Sequence, residues 1–229
     1  LLFILGSFIT NAQGVRFEGF EGDPNFVTLA AGGFEFVAAG GGASGNFING
    51  NTAANDRPAS VPYASSGSTA FRLTNNTYTL TSGTFSTAGL NFVALRFRLQ
   101  AVSLNTTNGM ELSDFVRVEI SPDGGTTYFN TAEITGSVAQ NAWWGYSATG
   151  TANATYDGNN VPTVYTPLGT GQIADGPSTV IVRGLPVGNL NVRIRITLEN
   201  NNANERWVID DVNMIATAGA PLPISFANV

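Results

Sequence analysis

The chain contains no cysteine, no histidine and no lysine, since all ten of its basic residues are arginine. Without cysteine or histidine it offers no thiol nucleophile, no Ser-His-Asp triad and no zinc site of the usual nitrogen and sulfur kind. Without lysine it offers no Schiff base and no phosphate-binding P-loop. Carboxylates, tyrosines and arginines are therefore the strongly functional side chains that remain.

Charge is also scarce, with 11% charged residues and a formal net charge of −6. Because nucleic-acid phosphates need a concentrated basic patch, this balance argues against a nucleic-acid partner. The 229 residues are 43% hydrophobic and include 27 glycines, which is typical of a folded chain with a neutral polar surface. No break in composition demands two domains, so we expect one large domain.

Residues 1–13 are mostly apolar and carry the small residues Thr10 and Ala12 near their end. This pattern is typical of a signal-peptide remnant that lacks its charged start, and a buried first strand is the alternative. The run is too short to cross a bilayer, which needs ~20 residues. We therefore expect a secreted or cell-surface protein with no membrane span in the mature domain.

Short alternating segments separated by turns occupy residues 14–217. Residues 190–198 show the clearest two-residue period, and residues 91–99 and 115–120 repeat it. No segment keeps a 3.6-residue period over ten residues, so the pattern predicts an all-β fold, an antiparallel β-sandwich. We expect an aromatic strand at 142–146, a long polar loop at 153–175, and a linker at 218–229 that leads toward a further C-terminal region.

The segment 204–215 is typical of a buried strand, yet it carries the adjacent carboxylates of Asp210 and Asp211. A buried carboxylate needs a charged partner, several hydrogen bonds or a cation. Regular alternation sends the two acids to opposite faces. It also divides the apolar residues into two groups: Trp207, Ile209 and Ile215 with Asp211, and Val208, Val212 and Met214 with Asp210.

Two motifs near the ends of the domain, FEGFEG at residues 17–22 and WVIDDV at residues 207–212, resemble the terminal signatures of jelly-roll carbohydrate-binding modules and of the related MAM adhesion domains. SPDGGTTY at residues 121–128 is similar to a hairpin of such domains. PLPISF at residues 221–226 resembles the linker that precedes the sorting domain of type IX secretion substrates in Bacteroidota. MAM domains usually carry disulfides, which this chain cannot form, so the bacterial jelly-roll family is favoured.

The resemblance implies a jelly-roll fold and a non-catalytic binding or adhesion module of an exported protein, with a glycan or a cell-surface protein as its partner. It also implies a structural calcium ion where the first and last strands meet, with Glu18, Glu21, Asp210 and Asp211 as candidate ligands. Gathered carboxylates repel one another, and Ca²⁺ accepts six to eight oxygens. The alternatives are an ion pair with Arg16 or Arg206, or an aspartate that caps backbone N–H groups.

The candidate ligand-binding residues are the aromatic side chains Trp143, Trp144 and Tyr146, to which Tyr156 and Tyr165 could add. A flat ring presents an apolar face that suits the C–H face of a sugar. Adjacent tryptophans on a strand cannot both be buried on one face, so one of the pair could be exposed. The alternative is that the outward ring packs under the loop that follows.

Five arginines occupy the polar faces of three predicted strands: Arg96, Arg98, Arg117, Arg193 and Arg195. If those strands were neighbours, the row could hold an acidic polysaccharide through paired hydrogen bonds. The favoured alternative is a solvated face balanced by acids such as Glu119 and Glu199.

Two other classes of function stay open at this point. A glycan-degrading enzyme is disfavoured, because retaining glycosidases need two carboxylates ~5 Å apart and the spacing of Glu111 and Asp114 splits them between two faces of an extended strand. A structural or spacer module of a surface assembly would share the low charge and the neutral surface of this chain.

Overall fold

The structure is a computed structural model, and it describes residues 16–21, 36–39, 45–137, 142–168, 175–188 and 191–218. Over these ranges the chain forms strands and turns without any helix. The predicted signal remnant, the glycine-rich residues 40–44 and the linker beyond Ala218 lie outside the described residues. The strands are β1 Arg16–Glu18, β2 Phe36–Ala39, β3 Gly45–Asn49, β4 Thr69–Leu73, β5 Asn76–Ser82, β6 Leu90–Ser103, β7 Phe115–Ser121, β8 Phe129–Thr135, β9 Gly150–Thr155, β10 Thr163–Tyr165, β11 Pro177–Arg183, β12 Arg193–Asn200 and β13 Glu205–Ala218.

The strands form two packed sheets. Sheet A has the order β3-β4-β13-β6-β11-β9, with β1 also paired to β13, and sheet B has the order β10-β8-β7-β12-β5-β2. The central strands β4-β13-β6-β11 and β5-β12-β7-β8 interleave in sequence in the manner of a jelly roll. The predicted all-β jelly-roll sandwich is therefore confirmed. Most pairs are antiparallel, but β9 with β11 and β8 with β10 are parallel.

One continuous core fills the space between the sheets. Along β12 the inward side chains of Ile194, Ile196 and Leu198 are fully buried, which matches the alternation in the sequence. Each large apolar side chain buried in this way contributes roughly 1.5–3 kcal/mol. The largest are Trp144 and Trp207, whose rings meet edge to face with centroids 5.5 Å apart.

The regular alternation expected for residues 204–215 is wrong, because β13 contains a bulge. Asp210 lies opposite Arg98 and Asn213 lies opposite Arg96, so two residues of β13 face the single Phe97 of β6. Asp211 occupies the extra position with φ of 50°, which aspartate tolerates better than most residues. The bulge reverses the faces, so Val212 and Met214 join the core while Ile215 is exposed.

Two further expectations about elements need correction. Residues 142–146 do not form a strand, and their β-bridges to other described residues are the isolated ones from Ala142 to Met110 and from Trp144 to Ala101. The predicted loop at 153–175 contains the end of β9 and all of β10. In the described part of the chain there is no helix of the length and hydropathy required to cross a membrane.

Candidate functional site

Asp210 directly precedes the bulge in β13 and lies on the outer face of sheet A, next to residues 65 and 66. Its side chain is fully buried, and its Oδ2 accepts hydrogen bonds from the N–H groups of Ser65 at 2.7 Å and Ser66 at 3.2 Å. Its Oδ1 accepts the N–H of Asp211 at 2.7 Å. Burial raises the pKa of Asp210 to about 7, although the three N–H donors oppose that rise.

Asp211 and Glu21 hold the same loop from other positions. The Asp211 carboxylate accepts the hydroxyl of Ser66, and the exposed Glu21 carboxylate accepts the N–H of Ser68 at 2.9 and 3.0 Å and its hydroxyl at 2.8 Å. Slight burial acts to raise the pKa of Glu21, but the hydrogen bonds from Ser68 and Thr69 together outweigh it and lower that pKa. Gly67 permits this approach, because a Cβ there would lie 1.8 Å from Glu21 Oε1.

Three of the predicted calcium ligands, Glu21, Asp210 and Asp211, therefore accept hydrogen bonds from one loop, residues 65–68. Asp210 has the backbone N–H partners that the capping alternative required. The backbone of Glu18 pairs with Val212, next to the bulge, and its side chain lies outside the described residues. Calcium at Glu18, Glu21, Asp210 and Asp211 stays a prediction.

The structure separates the three candidate aromatic residues. Trp144 is fully buried against Trp207, so the prediction that its ring contacts a ligand is wrong: it fills the core instead. Trp143 and Tyr146 are half-buried. The Arg98 guanidinium lies 5.7 Å from the centre of the Tyr146 ring and donates to the Tyr146 carbonyl.

Tyr146 shares a surface with the acids of the bulge. Burial raises the pKa of its hydroxyl well above the usual range, and the charges of Asp210 and Asp211 add to the effect. The outer face of sheet A thus brings together one predicted aromatic residue and two predicted metal ligands.

The arginine row does not exist as one surface. Arg96 and Arg98 lie on β6 in sheet A, whereas Arg117, Arg193 and Arg195 lie on β7 and β12 in sheet B. Arg117 pairs with Glu133 at 2.8 Å, and Arg195 pairs with Glu119 at 2.7 Å. For Arg195 the predicted partner Glu119 is confirmed, and both pairs are partly exposed, so each contributes little to stability.

A groove of about 380 Å³ lies at one edge of the sandwich, where β9 ends sheet A and β10 ends sheet B. The Tyr165 hydroxyl donates to the Asn153 carbonyl and so joins the two edge strands. Apolar surface comes from Tyr165, Leu168 and Pro177, and polar groups come from Thr149, Thr151 and Asp175. Gly150 and Gly176 also line the groove. Gly176 packs directly on Trp144, since a Cβ there would lie 2.3 Å from the Trp144 ring.

Only part of this groove has a signal in the sequence. Tyr165 was among the aromatic candidates, but its segment was expected to be a loop, and the facing residues 149–151 carry no distinctive motif. Leu168, which is 85% exposed, has no pattern that separates it from a core leucine.

A second acidic cluster was not predicted. One carboxylate oxygen from each of Glu111, Asp114 and Glu205 lies within 4.8 Å of the others. Burial raises the pKa of Asp114 to about 7 and that of Glu205 to about 8, and the neighbouring acids add to both shifts. Their spacing would split Glu111 and Asp114 between two faces of an extended strand, but the two residues occupy a turn, and the turn brings them together.

No protein-family model matches this chain, and no curated protein matches it in sequence. Among solved structures it is similar to a carbohydrate-binding module, TmCBM61 in complex with β-1,4-galactotriose, with 12% identity, a TM-score of 0.44, and coverage of 79% of this chain and 88% of that one. It is also similar to the K2 cleaved adhesin domain of Lys-gingipain, with 16% identity, a TM-score of 0.42, and coverage of 90% and 98%.

A third similar structure is an exo-β-agarase, with 11% identity and a TM-score of 0.40, where the match covers 92% of this chain and 26% of that one. These likenesses are too distant to carry an argument about function. The fold assignment rests on the strand order of this chain.

Proposed function

We propose that this chain is a non-catalytic binding module whose ligand is a glycan held in the groove between β9 and β10. The observation that carries the proposal is the mixed chemistry of that groove. A pyranose has an apolar C–H face and a rim of hydroxyls, which match the ring of Tyr165, the side chain of Leu168 and the hydroxyls of Thr149 and Thr151. The volume of the groove also falls in the range of small-molecule sites, ~300–1,000 Å³.

The carboxylates support binding rather than catalysis. Asp175 is the one acid among the described residues that line the groove, whereas most glycoside hydrolases use a pair. The Glu111, Asp114 and Glu205 cluster has a spacing near the ~5–5.5 Å of retaining enzymes, but Asp114 and Glu205 are fully buried. A substrate has no access to those two carboxylates in this fold.

The setting we propose is an exported, cell-surface protein. The apolar residues 1–13 and the linker-like residues 218–229 support export, and the resemblance of PLPISF to linkers of type IX substrates in Bacteroidota supports that route. Detection of the mature chain in a culture supernatant or on intact cells would test this setting. Retention of the full-length chain in the cytoplasm would contradict it.

The test of glycan binding is retention of the 229-residue chain on a panel of immobilised neutral and acidic glycans. We expect Tyr165→Ala and Leu168→Ala to weaken retention by about tenfold or more, since loss of an aromatic or aliphatic contact is worth ~1–3 kcal/mol. Val187→Ala is the matched control, because Val187 is an exposed aliphatic residue that does not line the groove.

The same panel distinguishes the groove from the surface that the sequence suggested. Loss of retention in Trp143→Ala but not in Leu168→Ala would place the ligand on the side of Trp143 and Tyr146. A cooperatively folded protein that no glycan retains would contradict the proposal.

A second candidate function, assembly with other copies, is favoured by the edge strand β10. It ends sheet B, and Val164 on it is 55% exposed while Val161 just before it is 70% exposed. An edge strand with exposed apolar residues is a template for pairing with another chain. Light scattering would show concentration-dependent assembly that Val164→Lys abolishes, and a monomer at every concentration would exclude this function.

A further inference from the structure

The turn before β7 and the start of β13 meet at one point of the sandwich. The N–H of Glu111 donates to Asp114 Oδ2 at 2.7 Å, and the N–H of Asp114 donates to the Glu111 carbonyl at 3.1 Å, so the turn is closed on itself. Glu205 is the first residue of β13 and lies opposite Ser103, the last residue of β6. These positions bring the three carboxylates together.

Two of the three acids are buried without the partners that burial demands. Asp114 and Glu205 are both 0% exposed. Asp114 Oδ1 and both carboxylate oxygens of Glu205 have no hydrogen-bond partner among the described residues. An ionised carboxylate in such surroundings is costly, and two side by side repel each other. The oxygens point to a ligand that supplies positive charge.

No arginine supplies that charge within the part of the chain that the structure describes. The ion pairs there join Arg117 to Glu133 and Arg195 to Glu119. Arg206 follows Glu205 in sequence, but its guanidinium donates to the Tyr63 hydroxyl and lies over the Tyr63 ring. The cluster therefore keeps its full negative charge unless an ion or protons neutralise it.

We propose that Glu111, Asp114 and Glu205 form a binding site for a divalent, oxygen-preferring cation, namely Ca²⁺. The donor set is made of carboxylate oxygens, which suit Ca²⁺ and Mg²⁺ rather than the transition metals that favour nitrogen and sulfur. Ca²⁺ accepts an irregular set of six to eight oxygens, whereas Mg²⁺ demands a near-ideal octahedron and retains several waters. A site with two fully buried carboxylates leaves little room for those waters.

The bound ion would join the loop between β6 and β7 to the first residue of the last strand. This site is distinct from the calcium predicted at the bulge, because Glu205 begins β13 whereas Asp210 and Asp211 interrupt it. The two sites can therefore be removed one at a time.

The test is calorimetric titration of the EDTA-stripped 229-residue chain with CaCl₂ and, separately, with MgCl₂. We expect Glu205→Gln, which keeps the shape and removes the charge, to weaken Ca²⁺ binding at one site by more than ~100-fold, beyond the ~10–100-fold loss typical of an outer-shell change. Asp157→Asn is the control for charge, because Asp157 is an exposed acid outside the cluster. It should bind Ca²⁺ as the unaltered chain does.

Several results would overturn the proposal. One is that the unaltered chain does not bind Ca²⁺, and another is that Glu205→Gln binds it equally well. A third is that Asp211→Asn removes the binding while Glu205→Gln leaves it intact. Tighter binding of Mg²⁺ than of Ca²⁺ would overturn the assignment of the ion. If stripped Glu205→Gln fails to fold, Glu111→Gln, which changes the half-buried member, must show the same loss of Ca²⁺ binding, and its retention of full binding would overturn the proposal.

Discussion

Two positions in β13, its first residue and its bulge, compensate for the burial of a carboxylate in different ways. Asp210 at the bulge is fully buried and accepts three N–H groups. Glu205 at the start of the strand is equally buried, and neither of its oxygens has a partner. Both carboxylates lose their hydration to a similar extent, so they differ in the groups that replace the lost water. Backbone N–H donors compensate for the burial of Asp210, whereas the proposed ion would compensate for that of Glu205.

The largest expected effect is the loss of stability in Asp210→Ala. This change leaves the N–H groups of Ser65, Ser66 and Asp211 without their acceptor, and we expect a loss of about 2–4 kcal/mol in the free energy of unfolding. Asp210→Asn retains one acceptor oxygen and should lose roughly half as much. Urea denaturation in EDTA provides the measurement. A loss below ~0.5 kcal/mol in Asp210→Ala would show that the loop does not depend on this acid.

Glu205→Gln should act in the opposite direction when metal is absent. It removes a buried charge that has no compensating bond, and at pH 8 in EDTA we expect a stability equal to that of the unaltered chain or higher by about 1–3 kcal/mol. The same denaturation experiment measures it, with Asp157→Asn as the control. A clear loss of stability would mean that the Glu205 carboxylate makes favourable contacts in the metal-free protein.

Gly67→Ala tests how tightly the loop is held from its other side. A Cβ at this position meets the Glu21 carboxylate at 1.8 Å, and φ is +63°. Gly50→Ala is the matched control, because Gly50 has φ of +74° but nothing within 4 Å of its Cβ position. We expect a loss of roughly 1–2 kcal/mol from backbone strain in both variants, and roughly 1 kcal/mol more in Gly67→Ala from the displaced hydrogen bonds of Glu21. Equal melting temperatures would show that the Glu21 contact adds nothing.

Part of this comparison was accessible from the sequence. The alternation of residues 190–198 predicted a half-buried strand, and the terminal motifs led to the jelly roll. The bulge was not predictable from β13 alone, because Asp-Asp in a strand looks like ordinary alternation until the register with Phe97 of β6 is known. The cluster at Glu205 was not predictable for the same reason, because Glu111 and Asp114 lie on a turn that is distant in sequence and comes near only in the folded sheets.

The Trp144 prediction failed for a related reason. A pair of adjacent tryptophans indicates that one ring can face outward, but it does not indicate which. Residues 142–146 form single bridges rather than a strand, and Trp144 turns into the core beneath Gly176. The groove above it depends on β9 and β10 meeting at one edge, which no local pattern specifies.

The smallest expected effect is at Asp123, an exposed carboxylate that, like Asp210, accepts hydrogen bonds. The N–H of Thr127 and the hydroxyl of Ser121 lower its pKa to about 2. Because the pKa in the folded state lies below the ordinary aspartate value of 3.8, its contribution to stability is present above about pH 4 and is lost as the pH falls toward 2. Asp123→Asn should therefore melt closer to the unaltered chain at pH 2 than at pH 5. A difference in melting temperature that does not change over this range would contradict the assignment.

The most direct test of the account is the effect of calcium on the melting temperatures of three proteins: the unaltered chain, Glu205→Gln and Asp210→Asn. Each is stripped with EDTA and then measured with and without excess Ca²⁺. The account predicts that Ca²⁺ raises the melting temperature of the unaltered chain, and that Glu205→Gln loses the part of this rise that comes from the Glu111, Asp114 and Glu205 site while Asp210→Asn keeps that part. An equal rise in Glu205→Gln, or no rise in the unaltered chain, would contradict it.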